Sequence, residues 1–404
     1  MKGVTSAHAA DATKQARRGA PGFPLVRPRR RTRGAARVAW LCADPGVPFG
    51  GTKGAAVHLR ALTSAVARRG RDVLLVVAAA EAGAAPAPGV AVEVVGRPGA
   101  HAAERVAADA ALARSLEQRL RAFGADVLYE RLALHSAAGA HAARALGIPH
   151  VVELNAPLPW EAARYRGLRF PKAAERLERF TLSHAALVLA VSRPLAAYAA
   201  ARGARRVAVL PNAASADVPL AVHDGPPVAV FAGTLRPWHG IEAIAGAWDL
   251  LARQAPPLLV VGDGPGAEQL ERAGATVTGA VAPDAVPRLL ARASIGLLPY
   301  AADGPRYFSP LKLFEYLAAG LAVVAGRLPG VEDLVDERSA VLIEPGDTRA
   351  LARAVAALAA DPGRRAALGG AGRALVTRHH TWDHRARTLT RAVDALVAAR
   401  GAAA

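Results

Sequence analysis

Short runs rich in valine, leucine and isoleucine alternate along the whole chain with longer alanine- and arginine-rich stretches of helical character. That alternation limits the fold more than any other feature. Strands separated by helices return parallel to one another, so the pattern builds α/β layers with helices covering parallel sheets. In the first half we expect strands at 37–43, 72–78, 90–95, 127–130, 150–154, 187–191 and 206–210. Helices are expected at 55–69, 102–123, 136–146 and 171–183, with a short one from Arg193. Pro211-Asn212 ends this half, and 213–227, with three prolines and few core residues, reads as a linker. The pattern then restarts with strands at 228–232, 258–261, 276–278, 295–298, 322–325 and 340–343. Helices are expected at 241–253, after Pro265, from Ser309, and at 348–360, 364–377 and 382–400. A chain of 404 residues exceeds one ordinary core, so two doubly wound domains are expected, 37–212 and 228–381, preceded by 1–36. Two such domains facing each other place a ligand in the cleft at the carboxyl ends of their strands.

Composition narrows the class. Hydrophobic residues make up 52% and charged ones 21%, as in a globular protein. The single cysteine, Cys42, excludes an internal disulfide framework and a cysteine-based zinc site. It lies in the apolar run Val38-Ala-Trp-Leu-Cys-Ala and reads as an inert buried thiol. Half of the net charge of +18 comes from residues 1–37, where ten basic residues face the single acid Asp11. Residues 1–36 carry no strand or helix period and read as a disordered basic arm that could touch anionic lipid or nucleic acid. The arm lacks the apolar core of a secretory signal. No stretch approaches 18 apolar residues without a charge, so no membrane span is expected.

The richest chemical motif is Tyr-Phe-Ser-Pro-Leu-Lys-Leu-Phe-Glu-Tyr-Leu-Ala-Ala-Gly, from Tyr307 to Gly320. Ser309 suits an N-cap, Pro310 a first helical position, and Gly320 the residue past the end. Leu311, Phe314, Leu317 and Ala318 share one face at helical spacing, and Lys312 and Glu315 share another. A lysine in the first turn opposes the helix dipole, which is tolerable where an anion is expected at the free N–H groups. The competing reading is a solvated Lys312–Glu315 pair on a surface helix.

This segment, followed by Leu-Ala-Val-Val-Ala, resembles the donor-binding segment of the family 4 glycosyltransferases of GT-B fold. The resemblance implies that the helix start, from Ser309 through Pro310, Leu311, Lys312 and Leu313, holds the diphosphate of a sugar nucleotide. It also implies that Glu315 holds the ribose hydroxyls. The family's commoner pattern has a further glutamate where this chain has Tyr307. The likeness covers roughly 37–400, and it implies that the last helix crosses back onto the first domain.

Three glycine loops follow strand ends. Asp44-Pro-Gly-Val-Pro-Phe-Gly-Gly-Thr-Lys-Gly is neither a dinucleotide fingerprint nor a P-loop, and alone it reads equally as a flexible turn. Gly50 and Gly51 match the family's pair that approaches the donor. His58, further along, reads as a packed helix residue. Gly233-Thr-Leu-Arg-Pro-Trp-His-Gly offers Arg236 and His239 to a diphosphate, with Gly233 and Thr234 alongside. A histidine there makes part of the charge pH-dependent. The alternative is a turn arginine in solvent over Trp238. Gly262-Asp-Gly-Pro resembles the strand-end turn near the nucleoside, with Gly262 backbone shaping the base pocket and Asp263 capping the next turn. On the other side, Arg131, His135, Glu153 and Asn155 sit at strand ends and resemble the family's acceptor segments. The basic stretch 164–179, with Tyr165, Phe170 and Pro171, could lean on lipid headgroups, although a solvated helix face fits as well.

The expected reaction moves a hexose from a UDP- or GDP-sugar to an acceptor hydroxyl with retention, in glycan, glycolipid or exopolysaccharide synthesis. Arg236, Lys312 and Glu315 are its expected catalytic residues. No cofactor and no metal are expected, because no two aspartates are spaced Asp-x-Asp as in metal-dependent sugar transferases. The expected location is the cytoplasm or, for a peripheral protein, the inner face of the plasma membrane. A sugar-nucleotide epimerase of the same fold and a nucleic-acid or anionic-membrane binder acting through the basic arm compete. The arm lacks interleaved aromatics, which counts against nucleic acid.

Overall fold

The structure is a computed structural model that describes residues 35–96 and 101–403. The expected basic arm therefore falls outside the described residues, except for its last two positions. The first sheet has seven strands: β1 Val38–Cys42, β2 Val73–Val77, β3 Val90–Val94, β4 Val127–Arg131, β5 His150–Leu154, β6 Leu187–Ala190 and β7 Val207–Val209. Their spatial order is β3-β2-β1-β4-β5-β6-β7, and the registered pairs are all parallel. The second sheet has β8 Ala229–Ala232, β9 Leu258–Val261, β10 Thr276–Val277, β11 Ile295–Leu298, β12 Ala322–Gly326 and β13 Ala340–Ile343. Its order is β10-β9-β8-β11-β12-β13, again parallel. This is an α/β, two-domain GT-B architecture of two Rossmann-like sheets.

The central strands are apolar on both faces because helices cover both sides of a parallel sheet. Every residue of β1, β2 and β12 is buried. Trp40 and Tyr129 meet between β1 and β4 with ring centroids 3.9 Å apart. Cys42 is buried, and loss of hydration pushes its thiol up to about 12, so it is inert at neutral pH.

In each sheet the strand order reverses direction at one point, between β1 and β4 and between β8 and β11. At such points adjacent loops run to opposite faces and leave a crevice. The last helix, Trp382–Ala403, crosses back onto the first sheet. Its Trp382, Ala386, Leu389, Val393 and Leu396 share one apolar cluster with β1, β2 and the helix Gly54–Arg68. Arg68–Asp383 at 2.9 Å and Arg71–Asp394 at 2.6 Å flank that seam. The segment 213–227 is pinned to the second domain, with Arg365 donating to His223 and Gly225 carbonyls and Arg373 to Ala216.

Three α-helices had no counterpart in the sequence pattern, Leu158–Tyr165, Val286–Leu290 and Pro329–Glu332. All are short, and in each a proline occupies the first turn, where its missing N–H costs nothing. The helix Pro171–His184 starts from Phe170 in a left-handed conformation, with φ 53°.

Candidate active site

A cavity of about 840 Å³ lies between the two sheets at the carboxyl ends of their strands. The first domain lines it with Thr52, Lys53, Gly54, His58, Arg131, Asn155 and Asn212. The second supplies Gly233, Thr234, Arg236, His239, Gly262 and the turn from Ser309 to Lys312, with Glu315. Arg236, Lys312 and Glu315 therefore face one shared space.

Lys312 is not a solvated surface residue. Its Nζ is buried, has no hydrogen-bond partner among the described residues, and sits 4.2 Å from the Phe231 ring centroid. Gly233 makes room for it, since a Cβ there would lie 3.2 Å from Nζ. Burial lowers the ammonium from 10.5 to about 7, with the Glu315 charge acting against the shift. Burial likewise raises the Glu315 carboxyl to about 7, against the pull of Lys312. Both residues line the same cavity.

The helix Leu311–Ala318 begins one residue later than the serine suggests. Ser309 is not its N-cap. Its Oγ accepts from Asn212 N at 3.0 Å and its carbonyl accepts from Asn212 Nδ2 at 2.6 Å. Pro310, in extended backbone with ψ 117°, takes the cap position and not the first helical one. Among the described residues the N–H groups of Leu311 and Lys312 have no partner, as is usual in a first helical turn, and both residues line the cleft. Gly320 ends the helix with φ 74°, as expected. Leu313 is buried in the core and does not line the cavity, and its N–H donates to the Pro310 carbonyl at 3.1 Å, so it stands outside the cradle.

The loop after β8 is built on close backbone approach. A Cβ on Gly262 would lie 2.2 Å from the Gly233 carbonyl oxygen, and φ at Gly262 is 144°. Asp263 does not cap through its side chain; its carbonyl accepts from Leu235 N at 2.7 Å. Arg236 is exposed with its guanidinium 5.8 Å from the Trp238 ring. His239 departs from expectation. Burial, then the Lys312 charge, lowers its ring to about 3, so it is neutral at physiological pH in the free protein. Its Nδ1 donates to the Thr234 carbonyl at 2.6 Å, which leaves Nε2 as an acceptor.

Gly50 and Gly51 do not line the cavity. A Cβ on Gly50 would meet Ala84 Cβ at 2.3 Å and one on Gly51 would meet Pro48 at 3.0 Å, so both serve the fold of the turn. The lining residues are the next three, Thr52 to Gly54. On the acceptor side, Arg131 and Asn155 reach the cavity, while His135 does not. His135 is buried in positive-φ backbone, its Nε2 2.9 Å from the Arg169 carbonyl.

Glu153 lies behind the wall as the centre of a buried network. It accepts from Tyr129 at 2.6 Å, Arg131 at 2.7 Å, Asn155 at 2.5 Å and His58 Nε2 at 2.9 Å. Burial alone would raise its carboxyl, but His58 and Arg131 hold it well below the usual carboxylate range. Sequence reasoning placed His58 among packed residues and passed over Asn212. The signal was present in their polarity at buried strand-end and helix positions, but partners in distant segments are invisible without a fold. The mouth of the cleft carries a second feature that was not foreseen: Tyr307 donates to Glu161 at 2.5 Å, and Tyr165 meets Trp238 at 4.9 Å. Both contacts join the two domains.

Comparison with known proteins agrees with this geometry. Residues 53–213 match the family described as a glycosyl transferase 4-like domain, and 226–361 match the glycosyl transferases group 1 family. A mannosyltransferase from Mycolicibacterium smegmatis, described as GDP-mannose-dependent and acting on phosphatidylinositol monomannoside, is 30% identical over 177 residues. That match takes in 40% of this chain and 46% of the relative, so the chain spans less than half the length of that protein. Sucrose-phosphate synthase from Thermosynechococcus elongatus shares the fold with a TM-score of 0.73 and 18% identity, over 90% of this chain and all of that one. Anabaena HepE, solved with UDP, shares it at 0.67 and 18%, over 89% of this chain and all of that one. The chain belongs to the family 4 type of glycosyltransferases, with the GT-B fold.

Proposed function

We propose that this enzyme moves a hexose from a nucleoside diphosphate sugar, UDP- or GDP-linked, to an acceptor hydroxyl with retention of configuration. One observation carries the reading: the Lys312 ammonium, without a hydrogen-bond partner among the described residues, lines one cleft together with the start of its helix and with Arg236 from the neighbouring loop of the same domain. Departure of a nucleoside diphosphate builds negative charge on the leaving oxygens. Fixed positive groups already aimed at that position lower the barrier without reorganisation. Glu315, one turn along the helix, lines the same cavity, and in this reading it accepts from the ribose hydroxyls. Neutral His239 offers an acceptor nitrogen to a sugar hydroxyl near the anomeric carbon. Arg131 and Asn155 face the same space from the acceptor domain.

In this mechanism the acceptor attacks from the face the diphosphate leaves, within an ion-pair-like state, and no protein nucleophile or metal is required. The GDP-mannose used by the mycobacterial relative and the UDP bound by HepE define the first donors to test. A thermal-shift panel of UDP-, GDP- and ADP-sugars tests the class, and Lys312→Ala and Glu315→Ala test the residues. The reading holds if one donor stabilises the wild type and neither variant. It fails if calorimetry finds unchanged binding in both folded variants.

The reading extends to a cytoplasmic enzyme whose acceptor lies at an anionic lipid face. No described helix is long and apolar enough to cross a membrane. Trp160 and Phe170 are 44% and 48% exposed beside Arg164, Arg166, Arg169 and Lys172. Co-sedimentation with phosphatidylglycerol vesicles but not phosphatidylcholine vesicles is expected, and equal or absent binding to both contradicts the extension.

A further inference from the structure

We propose that His58 is a positioning residue for the transfer: a doubly protonated ring that ties the acceptor-side strand ends to the turn opening the donor helix. The proposal rests on the glycosyltransferase reading of the cleft and adds a part that reading does not use.

The ring lies between two acceptors. Its Nε2 is 2.9 Å from Glu153 Oε2 and its Nδ1 is 2.7 Å from Asn212 Oδ1. The amide orientation of Asn212 is fixed independently. Asn212 Nδ2 meets the Ser309 carbonyl at 2.6 Å, and a carbonyl only accepts, so Oδ1 must face His58. Glu153 carries Arg131 on its other oxygen at 2.7 Å and is ionised. A neutral imidazole has a single N–H. It would leave one of these two contacts with an acceptor facing an acceptor, at a distance where that is repulsive. Only the imidazolium satisfies both, and Glu153 supplies its counter-charge inside the protein.

The groups facing this cation come from three elements. Tyr129 and Arg131 stand on β4, Glu153 on β5, and Arg385 on the last helix, where Trp382 also meets the ring edge-on at 5.1 Å. Arg385 donates to the Asn212 carbonyl at 3.3 and 3.2 Å from two of its nitrogens. Asn212 is the last residue before the chain leaves the first domain, and Trp382 is where it returns. His58 thus sits at both crossovers between the domains.

The consequence is a continuous path of contacts. Arg131 and Asn155, at the acceptor wall, hold Glu153; Glu153 holds His58; His58 holds Asn212; Asn212 holds both Oγ and the carbonyl of Ser309. Ser309 directly precedes Pro310 and the free N–H groups of the cradle. The two reacting partners come from different domains, and a misplacement of about 1 Å between them can cost on the order of a hundredfold in rate. A side chain that fixes one wall against the other therefore acts on the chemistry through the residues it holds.

Two measurements on the full chain test this. Ring-¹⁵N-labelled histidine spectra, assigned by the signal lost in His58→Phe, are expected to show both His58 nitrogens protonated at neutral pH. A neutral tautomer overturns the proposal. Calorimetric titration with UDP and GDP gives the second readout. His58→Phe and Asn212→Ala are each expected to weaken the bound nucleotide by about tenfold, as for one lost charge-assisted contact. The double variant is expected to be no weaker than either single one, because the residues act in series. Asn212→Asp keeps an acceptor for Nδ1 and removes the donor to Ser309. It is expected to preserve the doubly protonated ring and still lose affinity, which a purely structural role does not predict. Unchanged affinity in folded single variants, or additive losses, overturns the proposal. A wild type that binds neither nucleotide sinks the cleft reading instead, and the ring spectrum then still decides the state of His58.

Discussion

Replacing Lys312 with methionine is expected to make the free protein more stable while destroying its ligand site. The Lys312 ammonium has no hydrogen-bond partner among the described residues and lies against Phe231, and its value falls from 10.5 to about 7. At about 1.4 kcal/mol per unit, the free fold sacrifices roughly 4 kcal/mol to keep this group at neutral pH. Not all of that is recovered, because Glu315 loses the cation that partly stabilises its charge. A net gain of about 2 kcal/mol is expected, or roughly 5 °C in melting temperature. The sign follows from linkage. The folded lysine binds its proton less tightly than the unfolded one, so the penalty is full below about 7 and fades as pH rises towards 10.5. The stabilising effect of Lys312→Met should shrink over that same window. Scanning fluorimetry from neutral to alkaline pH measures the stability, and calorimetry with UDP and GDP measures a loss of about a hundredfold in affinity, as for a buried charged contact. A variant that melts lower at every pH and binds nucleotide normally would refute the assignment of Lys312 as an anion-binding group held at a cost.

Other expectations follow from single contacts. His239 should show no titration between about pH 5 and 8 in the free protein's ¹⁵N spectrum, since burial holds it neutral. Its folded value of about 3 lies below the ordinary one, so its contribution to stability is lost as pH falls below 6.5. Gly262→Ala puts a Cβ 2.2 Å from the Gly233 carbonyl oxygen in positive-φ backbone and should cost more than about 3 kcal/mol in urea denaturation. Trp382→Ala removes the ring that anchors the returning helix beside His58 and should cost about 3–5 kcal/mol, with faster proteolytic release of 382–403.

Much of the fold was legible because its signals are local. Short, β-branched apolar runs such as Val73–Val77 read as strands covered on both faces, and each expected strand is present within a few residues. The helix carrying Lys312 and Glu315 was legible as a motif, but its environment was not. Spacing cannot distinguish a lysine in solvent from one held over Phe231, because that depends on a strand some eighty residues earlier. Ser309 shows the same limit. A serine before a proline and a helix looks like a cap, yet its oxygen is taken by Asn212 from the other domain. Gly50 and Gly51 were misassigned for a related reason, since a glycine needed for a tight turn and one needed for ligand approach look alike in sequence. The pH-dependent charge expected of His239 failed because burial, which sequence does not report, outweighs an ordinary imidazole's basicity.

Proton counting during nucleotide binding tests the central claim most directly. UDP and GDP are titrated calorimetrically at about pH 8 in buffers of different ionisation enthalpy, where a Lys312 near 7 is mostly neutral in the free protein. If a pyrophosphate settles between Lys312, Arg236 and the free N–H groups, its charge restores the ammonium and close to one proton is taken up per nucleotide bound. Binding without proton uptake, or uptake that persists in Lys312→Met, would place the diphosphate somewhere else.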